Sequence, residues 1–119
     1  MNGNSFRDLI VWQKARVLAT RVYKITRALP REEMFGMSAQ MRRAALSIVS
    51  NIAEGKGRQT NAEYRSFLIF GRGSAYELDA QLIIAADLEY LAAETADELS
   101  EKTAEVARIL TTMIQKLTK

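Results

Sequence analysis

The sequence predicts an all-α protein, an antiparallel up-down-up-down four-helix bundle forming one domain over residues 1–119. Three observations carry that expectation. Apolar residues recur at three- and four-residue spacing in four long segments, the period of helices buried on one face. One proline and six glycines leave few turns, which favours a few long elements over many short ones. Strand-like alternation is absent, and a hydrophobic content of 48% is enough for one core.

The first helix is expected over about 8–28, with Ser5 or Asp8 as its cap. Val11, Trp12, Ala15, Leu18, Ala19, Val22 and Ile25 fall on one broad face. Lys14, Arg16, Arg21, Lys24 and Arg27 occupy the opposite arc. No acid occurs between Asp8 and Glu32, so this arc is wholly basic, whereas an ordinary solvated helix mixes both signs. Leu29-Pro30 ends the helix, because a residue before proline is disfavoured in the α region.

The second helix is expected over 39–54, capped by Ser38, with Met41, Ala44, Ala45, Ile48, Val49 and Ile52 inward. Gly55 stands where a C-terminal capping glycine belongs. Thr60-Asn61-Ala62-Glu63 reads as a capping box opening a third helix over 61–90, with Tyr64, Phe67, Leu68, Gly71, Ser74, Leu78, Leu82 and Ala85 as its inward stripe. Gly71 and Gly73 inside that helix each cost about 1 kcal/mol relative to alanine, so a close helix crossing or a kink is expected there. Thr95-Ala96-Asp97-Glu98 reads as a second capping box, opening a fourth helix over 96–118 with Leu99, Thr103, Val106, Leu110, Met113 and Leu117 as its seam.

Composition excludes much chemistry. The chain has no cysteine and no histidine. Disulfides, Ser-His triads, the usual zinc sites and Glu-x-x-His di-metal bundles are therefore not expected. No catalytic residue, metal or cofactor is implied, and the expectation is a non-enzyme. The N-terminus, MNGNSFRDL, lacks the apolar segment of a leader peptide, and no apolar run approaches the length of a membrane span. A soluble, cytoplasmic protein without membrane contact is the expectation.

Charge is polarised. Residues 1–58 carry 11 Lys/Arg and 4 Asp/Glu, a net +7, whereas residues 59–119 carry 6 and 10, a net −4. A basic surface for RNA or DNA is one reading. Attraction between the two halves, within one subunit or between neighbours, is the other.

Candidate interface residues follow from these patterns. Gly55-Lys56-Gly57-Arg58 lacks both the preceding strand and the Gly-Lys-Ser/Thr ending of a phosphate loop, and reads first as a hinge. Lys56 and Arg58 are nonetheless placed to touch a nucleic-acid backbone. Arg42 and Arg43 point about 100° apart on a helix and cannot share one job. One is expected to pair with a carboxylate, with Glu54, Glu63 and Glu77 as candidates. The other is expected at solvent or a neighbouring subunit, and direct phosphate contact is the alternative. Ser47, Asn51, Ser74 and Glu77 lie near core faces and read as an interhelical polar network that sets register. Tyr76, off the buried stripe, reads as an exposed interface residue.

The order of these motifs is itself specific. Phe6-x-Asp8-Leu9-x-Val11-Trp12-Gln13-x-Ala15 is followed by Pro30-x-x-Glu33-x-Phe35-Gly36 and Gln40-x-Arg42-Arg43-Ala44-Ala45-x-Ser47-Ile48. Then come Asn51-Ile52-Ala53-Glu54-Gly55-x-Gly57-Arg58, Tyr64-x-x-Phe67-Leu68 and Gly73-Ser74-x-x-Glu77-Leu78. Over nearly the whole chain this resembles the four-helix-bundle family of 23S ribosomal RNA intervening-sequence proteins. The accessory variability protein of diversity-generating retroelements is related to that family. The resemblance implies up-down-up-down bundles assembled as homopentamers, and a nucleic-acid-associated, non-enzymatic role. Gly71 departs from the family pattern, where alanine is usual. The expected function is thus an oligomeric bundle binding RNA or DNA non-specifically through Lys14, Arg16, Arg21, Lys24, Arg27, Lys56 and Arg58. The alternative is a protein-interaction scaffold in which basic and acidic halves drive ring assembly.

Overall fold

A computed structural model describes residues 5–117. The expected last residue of the fourth helix, Thr118, lies outside them, as does Met1–Asn4 of the stretch read as lacking a leader. Four helices account for most of the chain: α1 (Ile10–Ile25), α2 (Met37–Lys56), α3 (Asn61–Asp87) and α4 (Ala93–Lys116). There is no strand among the described residues.

The helices form a closed ring of neighbours. α2 packs on α1 and α3, and α4 packs on α3 and α1, while neither diagonal pair packs together among the described residues. Contacts between α2 and α3 run in opposite senses along the chain, from Gly55 beside Phe67 to Ser47 beside Ser74. Lys14 meets Glu105 and Arg21 meets Glu98, so α1 and α4 are antiparallel too. The long axis is 44 Å, and the 27 residues of α3 nearly span it at about 1.5 Å per residue.

One core lies on the ring axis. Leu18 and Val22 of α1, Met41, Ile48 and Ile52 of α2, Leu68, Leu78 and Leu82 of α3, and Leu99, Val106 and Leu110 of α4 are all essentially fully buried. Each such side chain contributes about 1.5–3 kcal/mol by leaving water. The predicted apolar faces are thus the buried faces.

Several helix ends differ from expectation, each for a local reason. Ser5 caps a 3-10 turn, Phe6–Asp8, by accepting the Arg7 N–H at 3.1 Å. α1 itself starts after extended Leu9 with no side-chain cap, and it tightens into 3-10 geometry at Thr26–Ala28 before the extended residue preceding Pro30. At α2 the cap is not Ser38. The Glu33 carboxylate, carried back by a 3-10 turn at Arg31–Glu33, accepts the Met37 N–H at 3.0 Å and starts the helix earlier. Ser38 is instead buried, its hydroxyl pointing at the Thr26 carbonyl.

Gly55 is not a terminal cap. α2 continues to Lys56, and Gly55 is buried against α3, where a Cβ would stand 2.8 Å from Phe67 Cβ and 3.1 Å from Tyr64 Cδ1. The glycine serves a close crossing. Of the two α3 glycines, Gly71 faces α2, with Asn51 Cβ 3.5 Å from the site a Cβ would take, whereas Gly73 faces open space. The close-crossing expectation therefore holds at Gly71 and fails at Gly73.

Thr60 caps α3 as expected, accepting the Glu63 N–H at 3.1 Å. α3 ends at Asp87 rather than at 90, because Glu89 takes a left-handed conformation (φ 62°) and reverses the chain. α4 begins at Ala93 with no side-chain cap, so Thr95 lies within its first turn and the second capping box does not form.

Candidate nucleic-acid interface

The basic arc of α1 divides into two sets. Facing α4, Lys14 Nζ lies 3.0 Å from Glu105 Oε2. Arg21 places both terminal nitrogens on the Glu98 carboxylate, at 3.0 and 3.1 Å. These contacts hold Glu98 and Glu105 below the usual glutamate range, chiefly through the bonds from Arg21 and Lys14 respectively. The Arg21 guanidinium is raised by the same bond. Two of the seven predicted phosphate contacts are thus already neutralised inside the subunit.

The others have no carboxylate partner among the described residues. Arg16 stacks over Trp12, its guanidinium 5.8 Å from the ring centre. Lys24 is exposed on the outer arc of α1, and Arg27 is exposed in the 3-10 turn that follows it. At the last residue of α2, Lys56 Nζ sits 5.9 Å from the Tyr64 ring, and just past the helix the Arg58 guanidinium sits 4.6 Å from the Phe67 ring. Aromatic faces hold these cations without cancelling their charge. Tyr64 itself is half-buried, and burial raises its phenol pKa.

Arg42 and Arg43 separate as their spacing requires, but neither pairs with a carboxylate. Arg42 is half-buried between α1 and α2. Its Nε donates to Thr26 Oγ1 at 2.8 Å, one terminal nitrogen donates to the Tyr23 carbonyl at 3.3 Å, and the guanidinium lies 4.9 Å from the Tyr23 ring centre. Thr26 in turn donates to the Val22 and Tyr23 carbonyls. Arg43 is exposed and donates to Gln40 Oε1 at 3.3 Å. Glu54, Glu63 and Glu77, the expected partners, are exposed and form no ion pair among the described residues, so Glu54 and Glu77 stand apart from the polar contacts between α2 and α3.

The rest of that network is present. The Ser47 and Ser74 hydroxyls meet at 2.7 Å across α2 and α3. Asn51 Nδ2 donates to the Ser47 carbonyl at 2.8 Å and its hydroxyl at 3.0 Å. Of these, only the Ser47–Ser74 bond crosses between the helices, tying their register beside Gly71, whereas the Asn51 bonds stay within α2. Each partner is a neutral hydroxyl, amide or carbonyl.

Two features were not anticipated. Glu33 joins both ends of a loop system: one oxygen caps α2 and the other accepts the Tyr90 hydroxyl at 3.1 Å. That bond is the main cause of a raised Tyr90 pKa. Phe35 is 90% exposed in the turn before α2, beside half-exposed Met34. A Met-Phe pair next to a glycine was readable as loop, yet nothing in periodicity says which loop aromatic faces water. Tyr76 is exposed, as expected.

A family model described as 23S rRNA-intervening sequence protein matches residues 7–112. A crystal structure of a protein of unknown function from the S23 ribosomal protein family of Bacteroides thetaiotaomicron superimposes with a TM-score of 0.83 at 26% identity, covering 89% of this chain and 96% of that one. No curated protein matches.

Proposed function

Given that this chain belongs to the 23S rRNA-intervening sequence protein family, we propose that it is a non-enzymatic, self-associating bundle that binds RNA or DNA through phosphate contacts. The observation that carries this reading is the unequal pairing of charge. Of the 11 cations in residues 1–58, only Lys14 and Arg21 have an acidic partner among the described residues. Arg16 and Lys24 with Arg27 of the following turn leave one side of the α1 segment positive, and Lys56 and Arg58 add two held cations at the end of α2. Phosphates bound there release counterions, and no base-reading motif accompanies them.

Self-association is supported by apolar side chains left outside the core, among them Phe70, Ile83 and Ile84 of α3 and Leu88 just after it. The pairing of Lys14 and Arg21 within the subunit argues against using them to join neighbours. The sequence supplies no histidine or cysteine nucleophile–base pair, which supports a binding role.

The test is anisotropy of a labelled structured RNA over a salt series, with the mass of the assembly measured in parallel. The wild type is expected to show log affinity falling linearly with log salt. Arg16→Glu/Lys24→Glu/Arg27→Glu is expected to flatten that slope and keep the mass. No binding at low salt, or loss of the assembly in the triple variant, refutes the reading in favour of an assembly scaffold.

A further inference from the structure

The exposed aromatic and the partly buried arginine found above lie in one corner of the molecule. Two adjoining recesses meet there. One is bordered by Arg27 and Arg31, the other by Phe35 and Arg43, and Met34 and Arg42 border both. We propose that this corner binds single-stranded nucleic acid, its arginines holding consecutive phosphates and Phe35 stacking on a base.

Arg42 is the anchor. Two of its five N–H donors are spent on neutral acceptors, Thr26 Oγ1 and the Tyr23 carbonyl, which leaves three donors and the full positive charge. Those two bonds and the Tyr23 ring fix the guanidinium, so little side-chain freedom remains to be lost when a phosphate arrives. A planar fork with spare donors suits a phosphate's paired oxygens. Arg27, Arg31 and Arg43 are exposed around it without carboxylate partners among the described residues. Two acids lie nearby in the turn. Glu33 is committed to the Met37 N–H and the Tyr90 hydroxyl, and Glu32 is exposed.

Phe35 selects the strand type. Its ring is 90% exposed, so it contributes little to the core and is free to stack. In a duplex the base faces are covered by their neighbours, whereas a single strand can turn a base onto an aromatic ring. An acidic protein segment would satisfy the four arginines but would give the ring no planar partner. The combination of uncompensated arginines with one exposed ring therefore favours a nucleic-acid strand.

This inference rests on the phosphate-binding function above, and its test separates the two. A short labelled single strand and the duplex of equal length are titrated against wild type, Phe35→Ala, Phe35→Trp and Arg42→Gln. Phe35→Ala is expected to weaken single-strand binding about tenfold and leave duplex binding unchanged, with Phe35→Trp restoring it. Arg42→Gln is expected to reduce the single-strand salt slope by about 0.7. If Phe35→Ala changes neither ligand, or both equally, while Arg16→Glu/Lys24→Glu/Arg27→Glu still flattens the salt slope, the corner is overturned and the general function stands. If the wild type binds neither ligand, both fall. A changed assembly mass in Phe35→Ala also overturns the proposal, because the ring would then be a subunit contact.

Discussion

Replacing each internal glycine with alanine asks whether close packing at the α2–α3 crossing, rather than chain flexibility, explains Gly55. At a helical position the exchange gains about 0.5–1 kcal/mol from backbone entropy. At Gly73 nothing lies within 4 Å of the new methyl, so the whole gain is expected. At Gly71 the methyl would meet Asn51 Cβ at 3.5 Å and the Ile48 carbonyl at 3.8 Å, ordinary contact distances, and a smaller gain is expected. At Gly55 it would stand 2.8 Å from Phe67 Cβ, 3.1 Å from Tyr64 Cδ1 and 3.3 Å from the Tyr64 carbonyl. Two of these atoms belong to the stem or backbone of α3 and cannot swing aside, so the helices must separate. Overpacking of that kind costs about 1–3 kcal/mol, which outweighs the propensity gain and leaves Gly55→Ala less stable by about 0–2 kcal/mol. Thermal and urea unfolding at one fixed protein concentration read the series. For a domain of this size each kcal/mol is worth about 4 °C, and Gly73→Ala and Gly55→Ala should move in opposite directions. Equal stabilisation of the two would refute the crossing argument.

Two further outcomes are expected. Glu98 and Glu105 have folded-state pKa values below their unfolded ones, so their contribution is present above the ordinary glutamate pKa of about 4.3 and is lost as pH falls through the lowered folded values. Acid unfolding of Glu98→Gln/Glu105→Gln should accordingly show a shallower loss below about pH 4 than the wild type; an unchanged slope would show that the ion pairs do not persist in solution. Removing Glu33 deletes both the α2 cap and the Tyr90 bond, so Glu33→Ala should cost about 1–2 kcal/mol and Tyr90→Phe about 1 kcal/mol or less by denaturant unfolding. If Tyr90→Phe equals Glu33→Ala, the cap contributes nothing.

What the sequence made legible follows from where the information is local. Buried faces were readable because helical period places Leu18, Ile48, Leu82 and Leu110 on one side of their helices whatever the neighbours are. The α3 cap was readable because Thr60 and Glu63 are three residues apart. The start of α2 was not, because its cap comes from Glu33 across a turn and displaces a serviceable Ser38. Gly55 looked like a terminus because a glycine after a helical run has two meanings, and only the position of Phe67 distinguishes them. In the same way the basic arc was visible as a stripe, but its division was not. Which cations meet Glu98 and Glu105 depends on the antiparallel packing of α1 and α4, whose ion-paired residues are 77 and 91 positions apart in sequence. The partners of Arg42 were missed because they are a hydroxyl and a carbonyl, which carry no charge to match.

That seam between the first and last helices also sets the order in which the molecule is assembled. It has the sparsest packing of the four helix–helix contacts, and it joins the first helix to the last. During synthesis α1, α2 and α3 are complete while Lys14 and Arg21 still lack their carboxylates. A contact of such long sequence separation carries a large loop-closure entropy, which places ring closure late in folding. The same seam is then the first to part. Amide exchange should start there, and an α4 that has swung free is the segment two copies would trade in a domain swap.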